Sequence, residues 1–512
     1  MQPLVLLSFV GLALAGLPYQ GLFHGRPRHG FVDHGARLSH QRAGKVVSSN
    51  AEDYPGVDTK WFTQKVTHFD DSNKDTYQQR YRYNNNFRKG NDIVFLLIEG
   101  ESEASLRWAG YPKYQWLQMA ADHGADAFQL EHRCFGQSRP YDDLSNTTLE
   151  YCLMEEALED VASFIQGINV EMKYKNPKWV TFGGSYPGIL SATFRSIHPE
   201  LTVGAVASSA PLTFTFDMWE YAWSMEETFK TIPGCAEAIQ NSFTHAQQMI
   251  LDEDQRDKLN TKLKLNPPFT KTTNYIEFDN FFENLFAVFQ DVVQYTMDGR
   301  NEATKGPEGK EIYSLCKLMT TNDDPIDKLW NVIVWSNDQD GEAITEFPNS
   351  YDDFITYLRN ETFDDEADGL PQASNRGWLW LQCSQLGVQQ STDQGKNIFG
   401  QIIPINYFIR LCKDGFGEDF MSAQNQYDRT AALRKKYGTG NYKATNVVLP
   451  NGSFDPWHKL GFYTPDEENG VVPVPIDGTA HCADMYEEYD GEPKDLERAR
   501  QIVRDNVAKW LK

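Results

Sequence analysis

Hydrophobic residues along the chain fall into two alternating rhythms. Short, nearly unbroken apolar runs at residues 93–98 (IVFLLI), 127–130, 179–182 and 203–207 read as buried strands. Between two of them Leu153, Ala157, Val161, Phe164, Ile165 and Ile168 recur at three- and four-residue steps, the apolar face of a helix laid on a sheet. Strand and helix in alternation predict βαβ units and an α/β fold. From about residue 212 to 370 the strand-like runs thin out, and helical faces such as Phe278, Phe281, Phe282, Leu285 and Phe289 take over, which predicts a helical cap inserted into the sheet. Strand signals return at residues 446–449 and 471–476, and a helical run over 496–511 closes the chain.

The strand at 179–182 runs directly into Gly183-Gly184-Ser185-Tyr186-Pro187-Gly188. This has the form of a nucleophile elbow, in which a sharp strand-to-helix turn exposes a serine hydroxyl and small neighbours let strand and helix converge. Pro187 stands where the usual pattern has glycine, and proline suits the first turn of a helix because its missing N–H has no intrahelical partner there. A residue before proline avoids helical angles, so Tyr186 is expected to cap a helix beginning at Pro187. The N–H of Tyr186 survives to point at an oxyanion. Downstream, in the order serine, acid, histidine, Asp455 follows the strand signal at 446–449 and His481 follows the one at 471–476. Singly, each is an ordinary turn residue; three in this order point to a triad. His458 competes for the role of base but shares a turn with Asp455, so His481 is preferred.

Composition narrows the setting. Residues 4–14 form an apolar run closing on Ala13-Leu14-Ala15, read as a secretory signal over residues 1–15, and no later stretch is apolar enough to span a membrane. Residues 16–50 are read as a basic linker or propeptide: residues 21–45 hold Arg26, Arg28, Arg37, Arg42, Lys45 and four of the eleven histidines, with Asp33 the single acid. The expectation is a disordered, removable leader, since a net charge of −24 over the 512 residues excludes nucleic acid as a partner. Seven widely spaced cysteines without a C-x-x-C pair argue against zinc or dithiol chemistry and for disulfides, with one thiol left over. No metal or organic cofactor is called for, and the sequence allows a homodimer. Asn146 and Asn360 head glycosylation sequons; Asn451 does too, but it ends the strand carrying Asp455 and is expected to be bare.

Taken together, Glu131-His132-Arg133 with Gly136-Gln137-Ser138, residues 183–188, 207–212, 380–387 and 451–457, and His481-Cys482-Ala483-Asp484-Met485 resemble the prolylcarboxypeptidase-like serine peptidases, with the last stretch most similar to thymus-specific serine protease. The resemblance implies an α/β-hydrolase fold in two parts (51–212 and 371–512) around a helical cap (213–370). It implies Ser185 as nucleophile, Asp455 as acid and His481 as base, with oxyanion N–H groups at Tyr186 and at Gly100 or Glu101. It also implies a Trp457 wall for a proline pocket, disulfides Cys383–Cys412, Cys235–Cys316 and Cys134–Cys152, and Cys482 as the free thiol.

The expected activity is that of a secreted or lysosomal serine peptidase acting on proline-containing peptides, a post-proline exopeptidase. Release of dipeptides from an amino end is favoured over carboxypeptidase action, because the cap is rich in acids (Asp323, Asp324, Asp338, Asp340, Asp352, Asp353) and Tyr486 stands where the carboxypeptidase has an arginine. Gln385 departs from the family's usual glutamate, and residues 98–102 depart from its Gly-Gly-Glu-Gly run. The alternatives are an esterase of the same fold and a catalytically idle binding ectodomain.

Overall fold

Eight strands pair into one mixed sheet in a computed structural model of the chain, which describes residues 22–27, 54–297, 311–339, 344–363, 372–437, 440 and 442–512. Within this sheet the strands are β1 (Val57–Lys65), β2 (Thr76–Asn84), β3 (Ile93–Ile98), β4 (Asp126–Leu130), β5 (Lys178–Gly184), β6 (Gly204–Ser208), β7 (Val447–Gly452) and β8 (Val471–Ile476). They lie in the order β8-β7-β6-β5-β3-β4-β2-β1. Neighbours from β8 to β4 run parallel, and β2 and β1 add on antiparallel.

Both faces of the parallel part are covered, which is why its strands read as unbroken apolar runs. Side chains of β3 alternate between two cores. Val94, Leu96 and Ile98 join the core that includes Phe164 and Ile165 of helix α1 (Met154–Met172), while Phe95 and Leu97 join the one that includes Val503 and Val507 of helix α4 (Lys494–Trp510). Helix α2 (Tyr186–Ile197) leaves β5 at the elbow. This is the α/β-hydrolase fold.

Strands β1 and β2 (VDTKWFTQK and TYQQRYRYN) escaped the hydrophobic reading because they carry polar residues that only the fold pairs. Arg80 meets Glu131, and Arg82 donates to Gln129 at 3.2 Å.

Helices fill the span between β6 and β7, from Glu220–Lys230 to Ala423–Tyr437, with α3 (Tyr275–Gln294) the longest among the described residues. In the division proposed from sequence, the helices from Gln372 onward fall in the second hydrolase part. Three disulfides, Cys134–Cys152, Cys235–Cys316 and Cys383–Cys412, pair as the resemblance implied, and Cys482 is a buried free thiol. The signal stretch, the leader outside residues 22–27, and Asp340 lie outside the described residues; no helix among the described residues is long and apolar enough to cross a membrane.

Candidate active site

The site grows from the carboxyl ends of β5, β7 and β8. Ser185 caps α2 with φ 64° and ψ −129°, a left-sided conformation that a non-glycine residue holds only under constraint from its surroundings. The constraint is visible on both sides. The Ser185 N–H donates to the Ser208 carbonyl at 2.9 Å, and a β-carbon on Gly183 would stand 2.1 Å from the Pro187 carbonyl oxygen. The helix starts at Tyr186 rather than at Pro187: with Ser185 taking the cap conformation, Pro187 falls within the first turn, where it loses no hydrogen bond.

Asp455 ends the turn after β7, and its Oδ2 lies 2.8 Å from Nδ1 of His481; both side chains are wholly buried. The Asp455 Oδ1 accepts the Trp457 N–H at 3.0 Å, which fixes the carboxylate plane. The two turns are locked together, with Phe454 N–H donating to the Thr479 carbonyl at 2.8 Å and no room for a side chain at Gly452. They are tied to the end of β6 and packed on the elbow: Cys482 N–H donates to Ser209 Oγ at 2.9 Å, and a β-carbon on Gly184 would meet Cys482 Sγ at 2.9 Å. His458 turns its Nδ1 to the backbone carbonyl of Asp455, 2.7 Å away, and not to the carboxylate. Burial drives the Cys482 thiol well above its ordinary pKa, so it is a protonated packing group.

The loop after β3 closes the other side. A β-carbon on Gly100 would lie 2.6 Å from Pro187 Cγ, so only glycine allows this loop to touch the elbow. Glu131 holds the same loop: it accepts the Ala104 N–H at 3.0 Å, together with Gln137 N–H, Ser138 Oγ and Arg80. Arg133 pairs with Asp160. The Glu-His-Arg and Gly-Gln-Ser stretches are thus a brace for the loop rather than catalytic groups. Glu101 is buried, and burial pushes its carboxyl up to about 7 against the pull of nearby Arg26 and His481.

Trp457 is buried with its ring 6.5 Å from that of His481. Its indole N–H donates at 2.9 Å to Gln294, the last residue of α3, whose backbone carbonyl in turn accepts the His481 N–H at 3.0 Å. Sequence reasoning missed Gln294, since a lone glutamine at the end of an amphipathic helix carries no signal.

Within the leader expected to be disordered, residues 22–27 form a small antiparallel hairpin, and Phe23, His24 and Arg26 are buried. Gly25, at φ +78°, makes the turn possible, and the cleft supplies partners for the charged and polar groups. The acids Asp323, Asp352 and Asp353 are exposed and Asp324 pairs with Lys262, while Tyr486 is core, its ring 5.7 Å from that of Trp108. Asn146 has its amide engaged, donating to the Phe416 carbonyl at 2.6 Å and accepting from Arg376 at 3.0 Å, which a glycan there would displace; Asn360 is exposed.

Residues 64–503 match the serine carboxypeptidase S28 family. The chain belongs to that family. It is 42% identical over 470 residues to a Caenorhabditis elegans protein named as a serine protease, F56F10.1, covering 91% of this chain and 86% of that one. It is 28% identical to the thymus-specific serine protease of Mus musculus (90% and 89% covered) and 24% identical to the lysosomal Pro-X carboxypeptidase of Homo sapiens (88% of each). The chain is a serine-type peptidase.

Proposed function

We propose that this S28 peptidase cuts by acyl transfer to Ser185 and from it to water. His481 takes the serine proton, the alkoxide attacks the peptide carbonyl, and the same imidazole returns the proton to the leaving amine before water releases the acyl group. Asp455 holds the ring in the tautomer with its proton on Nδ1 and stabilises the cation that forms. The oxyanion is held by the N–H of Tyr186, the first of a helix and so without an intrahelical partner, and by the backbone at Gly100 or Glu101. The observation that carries this reading is the buried 2.8 Å contact of His481 with Asp455, in turns packed beside an elbow serine at φ 64°.

We further propose a post-proline dipeptidyl-peptidase. Proline has no N–H to satisfy, so its pocket is best walled by a flat apolar surface such as the Trp457 indole. A free amino end needs carboxyl oxygens as partners, and the buried Glu101 and Glu283 supply two candidates in place of the cap acids, protonated while the cleft holds no cation and ionising against an ammonium group placed beside them. Turnover of X-Pro-reporter substrates with free and acetylated amino ends is the test: faster cleavage of the free form is expected, faster cleavage of the acetylated form reverses the assignment of ends, and equal rates mean an endopeptidase. Three disulfides, the apolar run at residues 4–14 and the lysosomal relative support a place in the secretory pathway, with a glycan at Asn360 rather than Asn146.

A further inference from the structure

The hairpin of residues 22–27 lies against Trp457, Gln294 and the loop after β3. A β-carbon on Gly25 would stand 2.2 Å from Trp457 Cζ2, so the turn rests directly on the indole. The hairpin's backbone is held by cleft side chains in the manner of a bound peptide. Gln294 donates to the Gly25 carbonyl at 2.8 Å, and Trp378 donates to the His24 carbonyl at 3.1 Å. Arg26 reaches the oxyanion loop, donating from Nε to the Glu101 carbonyl at 2.5 Å and from Nη1 to Asn375 at 2.6 Å. His24 faces Glu283 at 3.8 Å.

Two features suit this segment to release. It does not saturate the walls around it: Glu101 Oε2, Glu283 Oε2 and Gln390 Nε2 are buried without a hydrogen-bond partner among the described residues. The residues that follow in sequence are basic, with Arg28, Arg37, Arg42 and Lys45 before the hydrolase part begins, in a chain of net charge −24. Basic residues are cleavage sites for processing proteases.

We propose that residues 22–27 are an intramolecular inhibitor seated in the substrate cleft, with Arg26 and the Gly25 turn as its anchors, so that the intact chain is a zymogen opened by release of the segment. The proposal rests on the peptidase reading of Ser185. A tether of this kind presents the hairpin at an effective concentration of about 1 mM, so even an affinity of about 10 μM keeps all but about one molecule in 100 shut.

The experiment uses the full chain with a specific protease site inserted between residues 31 and 45. Cutting it and removing the released peptide is expected to raise both X-Pro-reporter turnover and fluorophosphonate labelling of Ser185 by about 100-fold. Gly25→Leu, which drives a side chain into Trp457, should give much of that rise without cutting. Equal labelling and turnover in the intact, cut and Gly25→Leu forms overturns the proposal, as does loss of both on release of the segment. Binding of a fluorescein-labelled peptide of residues 17–30 reads the cleft without chemistry, in a Ser185→Ala background. Uptake by the cut protein and not by the intact one supports the inhibitor even if no form labels Ser185, in which case only the assignment of the nucleophile fails; equal uptake by both forms overturns the inhibitor.

Discussion

A β-carbon at Gly183 would stand 2.1 Å from one backbone atom and 2.4 Å from the next, and neither can yield without moving α2. Gly183→Ala is therefore expected to cost both activity and thermal stability, whereas Gly184→Ala, whose nearest neighbour at 2.3 Å is the flexible Met485 side chain, keeps the fold. Ser185→Ala removes one oxygen and no core volume: turnover of X-Pro-reporter should fall on the order of 10⁶-fold with the melting temperature unchanged, and turnover near the parent level refutes the nucleophile. Asp455→Asn should lower kcat by about 10⁴-fold, because the amide stabilises the wrong imidazole tautomer. These residues are legible in the sequence because the roles proposed for them rest on local backbone demands: a glycine where two chains cross, an acid and a histidine each just past a strand. Gln294 is not legible, since its meaning comes from Trp457 and His481, far away along the chain. For the same reason Glu101 could be placed near the oxyanion by motif, but its burial could not be foreseen.

At the scale of elements, hydrophobic periodicity located the six parallel strands to within three residues at each end, together with the buried face of the helix between β4 and β5, because a sheet covered on both faces must be apolar throughout. It failed for β1 and β2, whose Arg and Gln side chains are buried only by virtue of partners such as Glu131 and Gln129. It failed also for residues 22–27, a hairpin with no partner strand beyond itself and no length to show a period. Within the cap, Cys235–Cys316 closes 81 residues of sequence and ties helix Cys235–Leu251 to helix Ile312–Met319. In the chain-entropy account a loop of that size is worth on the order of 4 kcal/mol. The double variant Cys235→Ser with Cys316→Ser should lower the melting temperature by several degrees, read by differential scanning calorimetry. A transition that splits in two would show the cap melting apart from the sheet.

Over the whole molecule, buried acids set how stability follows pH. Burial pushes Glu99 and Glu283 up to about 8, Glu101 up to about 7, and Asp279 and Asp484 up to about 6. Each of these folded carboxyls holds a proton that the unfolded chain releases near its ordinary value of 4.5 for glutamate or 3.8 for aspartate. The stability they confer is complete below those ordinary values and is lost as pH rises through the folded ones. His24, pushed down to about 3, and His132, pushed down to about 4, act in the opposite sense: buried neutral, they stabilise above 6.5 and lose that contribution as pH falls. Between pH 6.5 and 8 the histidines are neutral in both states and only Glu99, Glu101 and Glu283 among these groups change, so stability must fall across that window. Below pH 6.5 the two histidines offset part of the gain from the five carboxyls, so the contribution of these groups still rises toward pH 4, but less steeply. The expected outcome is a melting temperature higher at pH 5.5 than at pH 8, with the alkaline slope flattened in Glu99→Gln with Glu283→Gln, since a neutral amide has no proton to surrender. A parent protein equally stable at the two pH values, or a double variant with the parent's slope, would show that these carboxyls reach water in the folded state.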